Sequence, residues 1–188
     1  MSKNIIFRDK NDPFEMPKIP RILLFHFSWL AFKDKYFLRG PFSRIKHIYK
    51  FIGRYNKFVS TFTVCQKGCS HCCKIDVNIT SLEAEYISIN TGIKSDEGSS
   101  VTTGHRDACP FLGELGECKI YKYRPFNCRT FHTIDDPKYC EDGDESHMVY
   151  GASSFGYGSP MLMNCAQVIS HINNGLPKRD IRDFFKKH

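Results

Sequence analysis

The stretch CQKGCSHCCK, residues 65–74, places four cysteines within nine residues, and that density limits the fold more than any other feature of the chain. Thiols this close together serve as disulfides, as metal ligands or as reactive nucleophiles. Thiolates two or three residues apart can turn toward one point only where the backbone between them is tight. Gly68 supplies that freedom.

Disulfides fit poorly. Nine cysteines are an odd number, so they cannot all pair within one chain. The most apolar run, Ile22 to Phe32, is too short to span a bilayer and contains a histidine. It follows a polar, proline-containing stretch and lacks a small-residue cleavage site, which makes it a poor signal peptide. The expectation is a cytoplasmic protein, where thiols stay reduced and the sequon Asn78–Ile79–Thr80 carries no weight. With 41% hydrophobic and 25% charged residues, 188 residues suffice to bury one core.

The formal charge of +7 is concentrated. Residues 33–57 hold eight Lys/Arg (Lys33, Lys35, Arg39, Arg44, Lys46, Lys50, Arg54, Lys57) against one acid, Asp34, and the rest of the chain is balanced. Interleaved with Tyr36, Phe37, Phe42, Tyr49 and Tyr55, this stretch could meet nucleic acid or a membrane surface. A solvated basic helix face is the commoner explanation and is preferred.

Residues 1–20, with Pro13, Pro17 and Pro20, read as an extended arm. The run after Arg21 alternates like a strand yet has the length of a short helix, and it is assigned to a helix. From Pro41, Phe42, Ile45, Ile48/Tyr49, Ile52, Tyr55 and Val59 mark one apolar helical face. Thr80 and Glu83 form a capping box ahead of a helix whose stripe is Leu82, Tyr86 and Ile89 and whose stop is Gly92. Residues 104–147 are turn-rich. The glycine- and aromatic-rich stretch 149–160 lacks a phosphate-loop lysine and gets no nucleotide role. Two C-terminal helices are expected, Met161–Asn173, with Leu162, Cys165, Val168/Ile169 and Ile172 inward, and Pro177–Lys187.

The fold class expected is therefore mainly α: a small, loop-rich, cysteine-rich metal-binding domain with flanking helices. Residues 1–59 form the arm and basic amphipathic region and 60–147 the cysteine-cluster core. Residues 148–188 form a C-terminal loop and helices packing on that core.

After Cys65, Cys69, Cys72 and Cys73 comes a gap of 35 residues, then Cys109, Cys118 and Cys128, with Cys140 and Cys165 beyond. Clustering in loops favours a metal. Cys165, on an apolar helix face, reads as a plain buried thiol, while Cys140 is undecided. His71, His132 and His147 are read as structural hydrogen-bonding residues.

The second group carries further signal: Cys109–Pro110–Phe111–Leu112, Cys118–Lys119–Ile120–Tyr121, Arg124–Pro125 and Cys128–Arg129–Thr130–Phe131. With Cys69, Cys72 and Cys73, and with Glu83 and Ala84 after Thr80, these blocks resemble the YkgJ-type cysteine cluster family. That family is described by a CxxCxxCC motif and assigned zinc or iron chelation. The likeness covers residues 62–132. One departure stands out: three residues, not two, separate Cys65 from Cys69.

The resemblance implies metal ligation by Cys65, Cys69, Cys72, Cys73, Cys109, Cys118 and Cys128, with Arg124 and Arg129 as nearby cations that keep thiolates deprotonated. Lys67 and Lys74 read as surface charges. Pro110 and Pro125 would fix turns, and Phe111, Leu112, Ile120, Tyr121, Phe126 and Phe131 would exclude water. Seven thiols exceed one closed zinc site, so Zn2+ and a 4Fe–4S cluster both stay open. A related motif occurs in a flagellin lysine methylase, which suggests a structural or redox role accessory to modification of a protein partner. Two alternatives remain. One is an enzyme with a spare thiol in the Cys72–Cys73 pair, although no triad, metalloprotease or dinucleotide signature appears. The other is a zinc-scaffolded nucleic-acid or membrane-surface binder.

Overall fold

A computed structural model describes residues 7–65, 68–96, 98, 100–141, 146–152 and 157–186. Helices dominate: α1 (Arg21–Tyr36), α2 (Pro41–Val59), α3 (Ser81–Thr91), α4 (Phe126–Thr130), α5 (Pro160–Ile172) and α6 (Ile181–Phe184). The strands are short. β1 (Asn78–Thr80) pairs antiparallel with β5 (Lys178–Asp180). β3 (Val149–Gly151) lies between β2 (His132–Thr133), antiparallel to it, and β4 (Tyr157–Gly158), parallel to it. Among the described residues, no helix is long and apolar enough to cross a membrane.

The spine is α2. Gly40 adopts φ +76° and Pro41 opens the helix, where its missing N–H costs nothing. The spacing read from the sequence is the buried face at Ile45, Ile48, Tyr49, Ile52, Tyr55 and Val59, with Phe51 added, while Phe42 at its start is only half-buried. Each such side chain contributes about 1.5–3 kcal/mol when fully buried. Around it gather Leu23 and Leu30 of α1, Leu82, Phe126, Ile134, Met148, Tyr150, and Met161, Leu162, Cys165 and Ile169 of α5. The extended arm adds Phe14, Met16 and Ile19. Inside this core the Tyr55 hydroxyl meets those of Tyr150 (2.5 Å) and Ser159 (2.8 Å), tying α2 to β3 and α5. The basic residues of α2, Lys46, Lys50, Arg54 and Lys57, are exposed.

A second, smaller core sits under the cysteine loops: Ile79, Ala84, Ile87, Cys109, Phe111, Ile120, Ile181, Phe184 and Phe185. Its existence corrects the stripe expected on α3. Leu82 is buried as read, but Ile89 is 63% exposed and Tyr86 only half-buried, while Ala84 and Ile87 are buried. The helix bridges two cores, so its inner face turns toward the second after Leu82. The capping box forms in full, and Gly92 ends the helix in the left-handed region.

Residues 177–187 are not one helix, which corrects the expected second C-terminal helix. Lys178–Asp180 is β5, held by β1 in the register Asn78↔Asp180 and Thr80↔Lys178, and only Ile181–Phe184 is helical. Lys187 lies outside the described residues. The Asp180 carboxylate explains the break: it accepts from Val77 N–H (2.6 Å) and Arg182 N–H (2.8 Å), capping α6 while fastening it to β1. At the other end of α5, buried Asn173 accepts from Leu82 N–H (3.0 Å).

Candidate metal centre

Backbone hydrogen bonds draw the cysteine loops together. Val64 N–H donates to the Thr133 carbonyl (3.0 Å) and Thr133 N–H donates to Cys65 Sγ (3.1 Å), so the chain enters the cluster alongside β2. Gly68, at φ +97°, turns it. A 3-10 turn, His71–Lys74, then carries Cys72 and Cys73. Cys109 N–H donates to the Cys73 carbonyl (2.8 Å), which joins the two cysteine groups directly. Residues 109–119 fold back through Leu112 N–H to the Cys109 carbonyl (2.9 Å) and Lys119 N–H to the Phe111 carbonyl (2.9 Å). Pro125 precedes α4, which holds Cys128.

Cys69, Cys72, Cys73, Cys109, Cys118 and Cys128 line one cavity of about 680 Å3. Phe111, Ile120, Tyr121, Phe126 and Phe131 supply apolar wall, although Tyr121 is 40% exposed and so belongs to the rim; Leu112 is not part of the lining. Cys65 is not in the lining either. Among the described residues, no three cysteine sulfurs lie within 4.8 Å of one another. Four thiolates around one zinc stand about 3.8 Å apart. The sulfurs therefore ring a space rather than meet at a point.

Two thiol–thiolate pairs stand out. The Cys65 thiol donates to Cys69, whose pKa falls to about 6, helped by the His71 backbone N–H, while donation and burial push Cys65 up. Likewise the Cys72 thiol donates to Cys73, whose pKa falls to about 7 with help from Arg124 and Arg182, while Cys72 rises. Burial pushes Cys109 up to about 12 and raises Cys118 and Cys128. A cation bound among them would reverse those shifts by favouring the thiolate.

Arg124 also lines the cavity, and its charge favours the thiolate at Cys73, Cys118 and Cys128. Its guanidinium lies 3.8 Å from the Tyr121 ring centroid, and its buried Nε has no hydrogen-bond partner among the described residues. Arg129 also favours the Cys118 thiolate, and in addition it donates to the carbonyls of Arg124 and Lys122, both at 2.5 Å, and covers the Tyr49 ring at 4.2 Å. It clips the Arg124 turn in place. Lys74 pairs with Glu141 (2.9 Å); Lys67 lies outside the described residues.

The histidines are engaged elsewhere. His71 Nδ1 pairs with Glu141 (2.8 Å) and His147 Nδ1 with buried Asp135 (3.0 Å). His132 Nε2 lies 3.1 Å from the Arg129 carbonyl and 3.3 Å from Asn56, and burial drops its pKa to about 4. Cys165 is 1% exposed within the main core.

Two further residues join the site, Cys140, which the sequence left undecided, and Arg182, which it did not mark. Cys140 is 3% exposed and close enough to Cys69 and Cys65 for their charges to interact. It stands in the 3-10 turn Pro137–Glu141, and its acidic neighbours gave no metal-site spacing. Arg182 donates to the carbonyls of Cys73 (3.1 Å), Ile75 (3.3 Å) and Asp107 (2.5 Å) and pairs with Asp180 (3.0 Å). It fastens both cysteine loops from more than 70 residues away in sequence, where no local signal exists.

Asp76, His105 and Asp180 also converge. Both carboxylates serve protein donors: Asp76 accepts from Gly104 N–H, His105 N–H and His105 Nδ1, each at 2.7–2.8 Å, and Asp180 accepts from Val77 N–H, Arg182 N–H and the Arg182 guanidinium. This cluster braces residues 104–105 against Asp76, which itself lies in the cavity wall.

The model of the CxxCxxCC family, described as "Putative zinc- or iron-chelating domain", matches residues 64–147. No curated protein and no solved structure matches the chain. The donor set suits the description, because thiolates are soft ligands for both zinc and iron–sulfur centres.

Proposed function

We propose, since residues 64–147 match the model of the CxxCxxCC family, that this chain is a metalloprotein whose cavity cysteines hold a polynuclear iron–sulfur centre. The carrying observation is one cavity of about 680 Å3 lined by six cysteines from separated segments. A closed mononuclear zinc site needs four sulfurs at one point, and among the described residues no three of these sulfurs lie within 4.8 Å of one another. Cys73, Cys109, Cys118 and Cys128 are the ligands most closely grouped by charge, with Cys69 and Cys72 beside them. When bound, such a centre supplies one-electron transfer.

The chain's own residues do the rest. The unpartnered Nε–H of Arg124 offers a donor to cluster or thiolate sulfur, and Arg124 offsets the negative charge that the thiolates bring. Phe111, Ile120, Phe126 and Phe131 keep water from the sulfurs, while Arg182 and Arg129 hold the loops at their carbonyls. The role is structural or redox, accessory to modification of another protein, in a cytoplasmic setting.

The test is anaerobic purification followed by iron, acid-labile sulfide and zinc analysis on one sample. Iron and sulfide in equal amounts, with visible absorption lost in Cys73→Ser and Cys128→Ser, support the proposal. Colourless protein with stoichiometric zinc overturns it.

A further inference from the structure

The side of α1 turned away from the core is aromatic. Ile22, Phe25, Trp29, Phe32 and Tyr36 recur at steps of three and four residues, so they share one side of the helix. Leu23, Phe27 and Leu30, which pack into the main core, lie on the other. The outer residues are 44–64% exposed, and Phe37, 65% exposed, extends them. Trp29 stacks on Phe32 (5.5 Å) and Phe32 meets Tyr36 (5.1 Å), making a continuous ridge. A lone exposed apolar side chain is ordinary, but a contiguous ridge marks an interaction surface.

Charge selects what covers it. Residues 33–57 carry eight Lys/Arg against Asp34, and Asp34 is occupied by Arg44 through two 2.6 Å bonds. Tyr49 and Tyr55 are buried and take no part. Lys33 Nζ lies 5.2 Å from the Trp29 ring centroid and Lys35 Nζ 5.0 Å from that of Tyr36, so ammonium groups border the ridge itself. A second copy docked here would bring like charges together. An acidic lipid surface would neutralise them, and Trp, Tyr and Phe among lysines suit the boundary between head groups and acyl chains.

We propose that α1 lies along the surface of an anionic membrane, with its aromatic ridge at the head-group boundary and the ammonium groups of Lys33 and Lys35, which border that ridge, against acidic head groups. The attachment is peripheral, and it holds whichever metal the cysteines bind.

Trp29 is the only tryptophan in the sequence and therefore reports its own surroundings. The full chain is mixed with phosphatidylcholine vesicles with and without phosphatidylserine, some carrying brominated acyl chains. Expected are a blue shift and bromine quenching of Trp29 emission on the phosphatidylserine vesicles, weaker on phosphatidylcholine alone and reduced by salt. Phe25→Ser with Phe32→Ser should lower vesicle affinity about ten-fold or more while leaving circular dichroism and Tm unchanged, because both side chains lie outside the core. Unshifted emission and no co-flotation with phosphatidylserine vesicles at low salt overturn the proposal. So does lipid-free self-association that shields Trp29, which would make a second copy the occupant.

Discussion

Replacing Glu83 by glutamine probes how α4 and its cysteine are held to the scaffold. Glu83 is 3% exposed, and its carboxylate accepts four hydrogen bonds. Oε1 takes the Tyr49 hydroxyl (2.8 Å) and Phe126 N–H (2.6 Å); Oε2 takes the N–H and hydroxyl of Thr80 (both 2.9 Å). Glutamine keeps the shape but turns one end into a donor. A hydroxyl can rotate to accept from it, whereas a backbone N–H cannot. Each end of the carboxylate faces one backbone N–H, so either amide orientation sets two N–H groups against each other and strands a buried donor. A bond to a charged acceptor contributes about 1.5–3 kcal/mol, and a stranded buried donor costs about 1–3 kcal/mol. Relief from burying a charge offsets part of this, leaving a loss of roughly 2–3 kcal/mol. Tyr49→Phe removes one hydroxyl and strands nothing on the backbone, so it should cost roughly 1 kcal/mol. Urea unfolding of the metal-free proteins, followed by circular dichroism, gives both numbers. A Glu83→Gln variant within about 0.5 kcal/mol of the parent would refute the reasoning, since an ordinary surface substitution does as little.

Other expectations follow from the same structure. Cys128→Ser should abolish metal retention and loosen the loops, whereas Cys165→Ser, buried in the main core and outside the cavity lining, should keep full metal content at a packing cost of about 1–2 kcal/mol; metal analysis and Tm separate them. For metal-free protein, Cys69 (about 6) and Cys73 (about 7) lie below an unfolded thiol near 9, so the folded chain binds fewer protons between those values and stability rises with pH. Above about pH 9 the sign reverses, because Cys65, Cys72, Cys109 and Cys128 stay protonated when the unfolded thiols ionise. Urea midpoints across that range should pass through a maximum, and Cys69→Ser with Cys73→Ser should flatten its acid side. Gly151→Ala would set Cβ 2.7 Å from the Thr130 carbonyl, costing about 1–3 kcal/mol, while Gly53→Ala, in open space on α2, should gain up to about 1 kcal/mol; thermal melts test the pair.

Much of this architecture was legible wherever a local pattern decides local structure. The three- and four-residue steps of α2 and the Thr80–Glu83 box each became what their spacing implies, because one dominant face or one cap settles the matter. Six of the seven cysteines read as ligands do line one cavity, and the family blocks around Pro110 and Pro125 are the loops that form it. What failed depended on distant partners. Residues 178–180 have a helix-compatible pattern but are captured by β1 a hundred residues earlier. Ile89 yields to Ile87 because α3 serves two cores at once. The strand–helix ambiguity of α1 has a physical origin too: it is apolar on opposite sides, one buried and one exposed, which blurs the helical period. Arg182 and Cys140 reach the site only through tertiary folding.

On the proposed reading the cavity cysteines surround several metal atoms rather than one. X-ray absorption at the iron and zinc edges of anaerobically purified protein tests it most directly. The account predicts iron in a sulfur shell with a second shell of metal–metal scattering, lost together in Cys73→Ser. Zinc with a single shell of four sulfurs and no metal neighbour would contradict it.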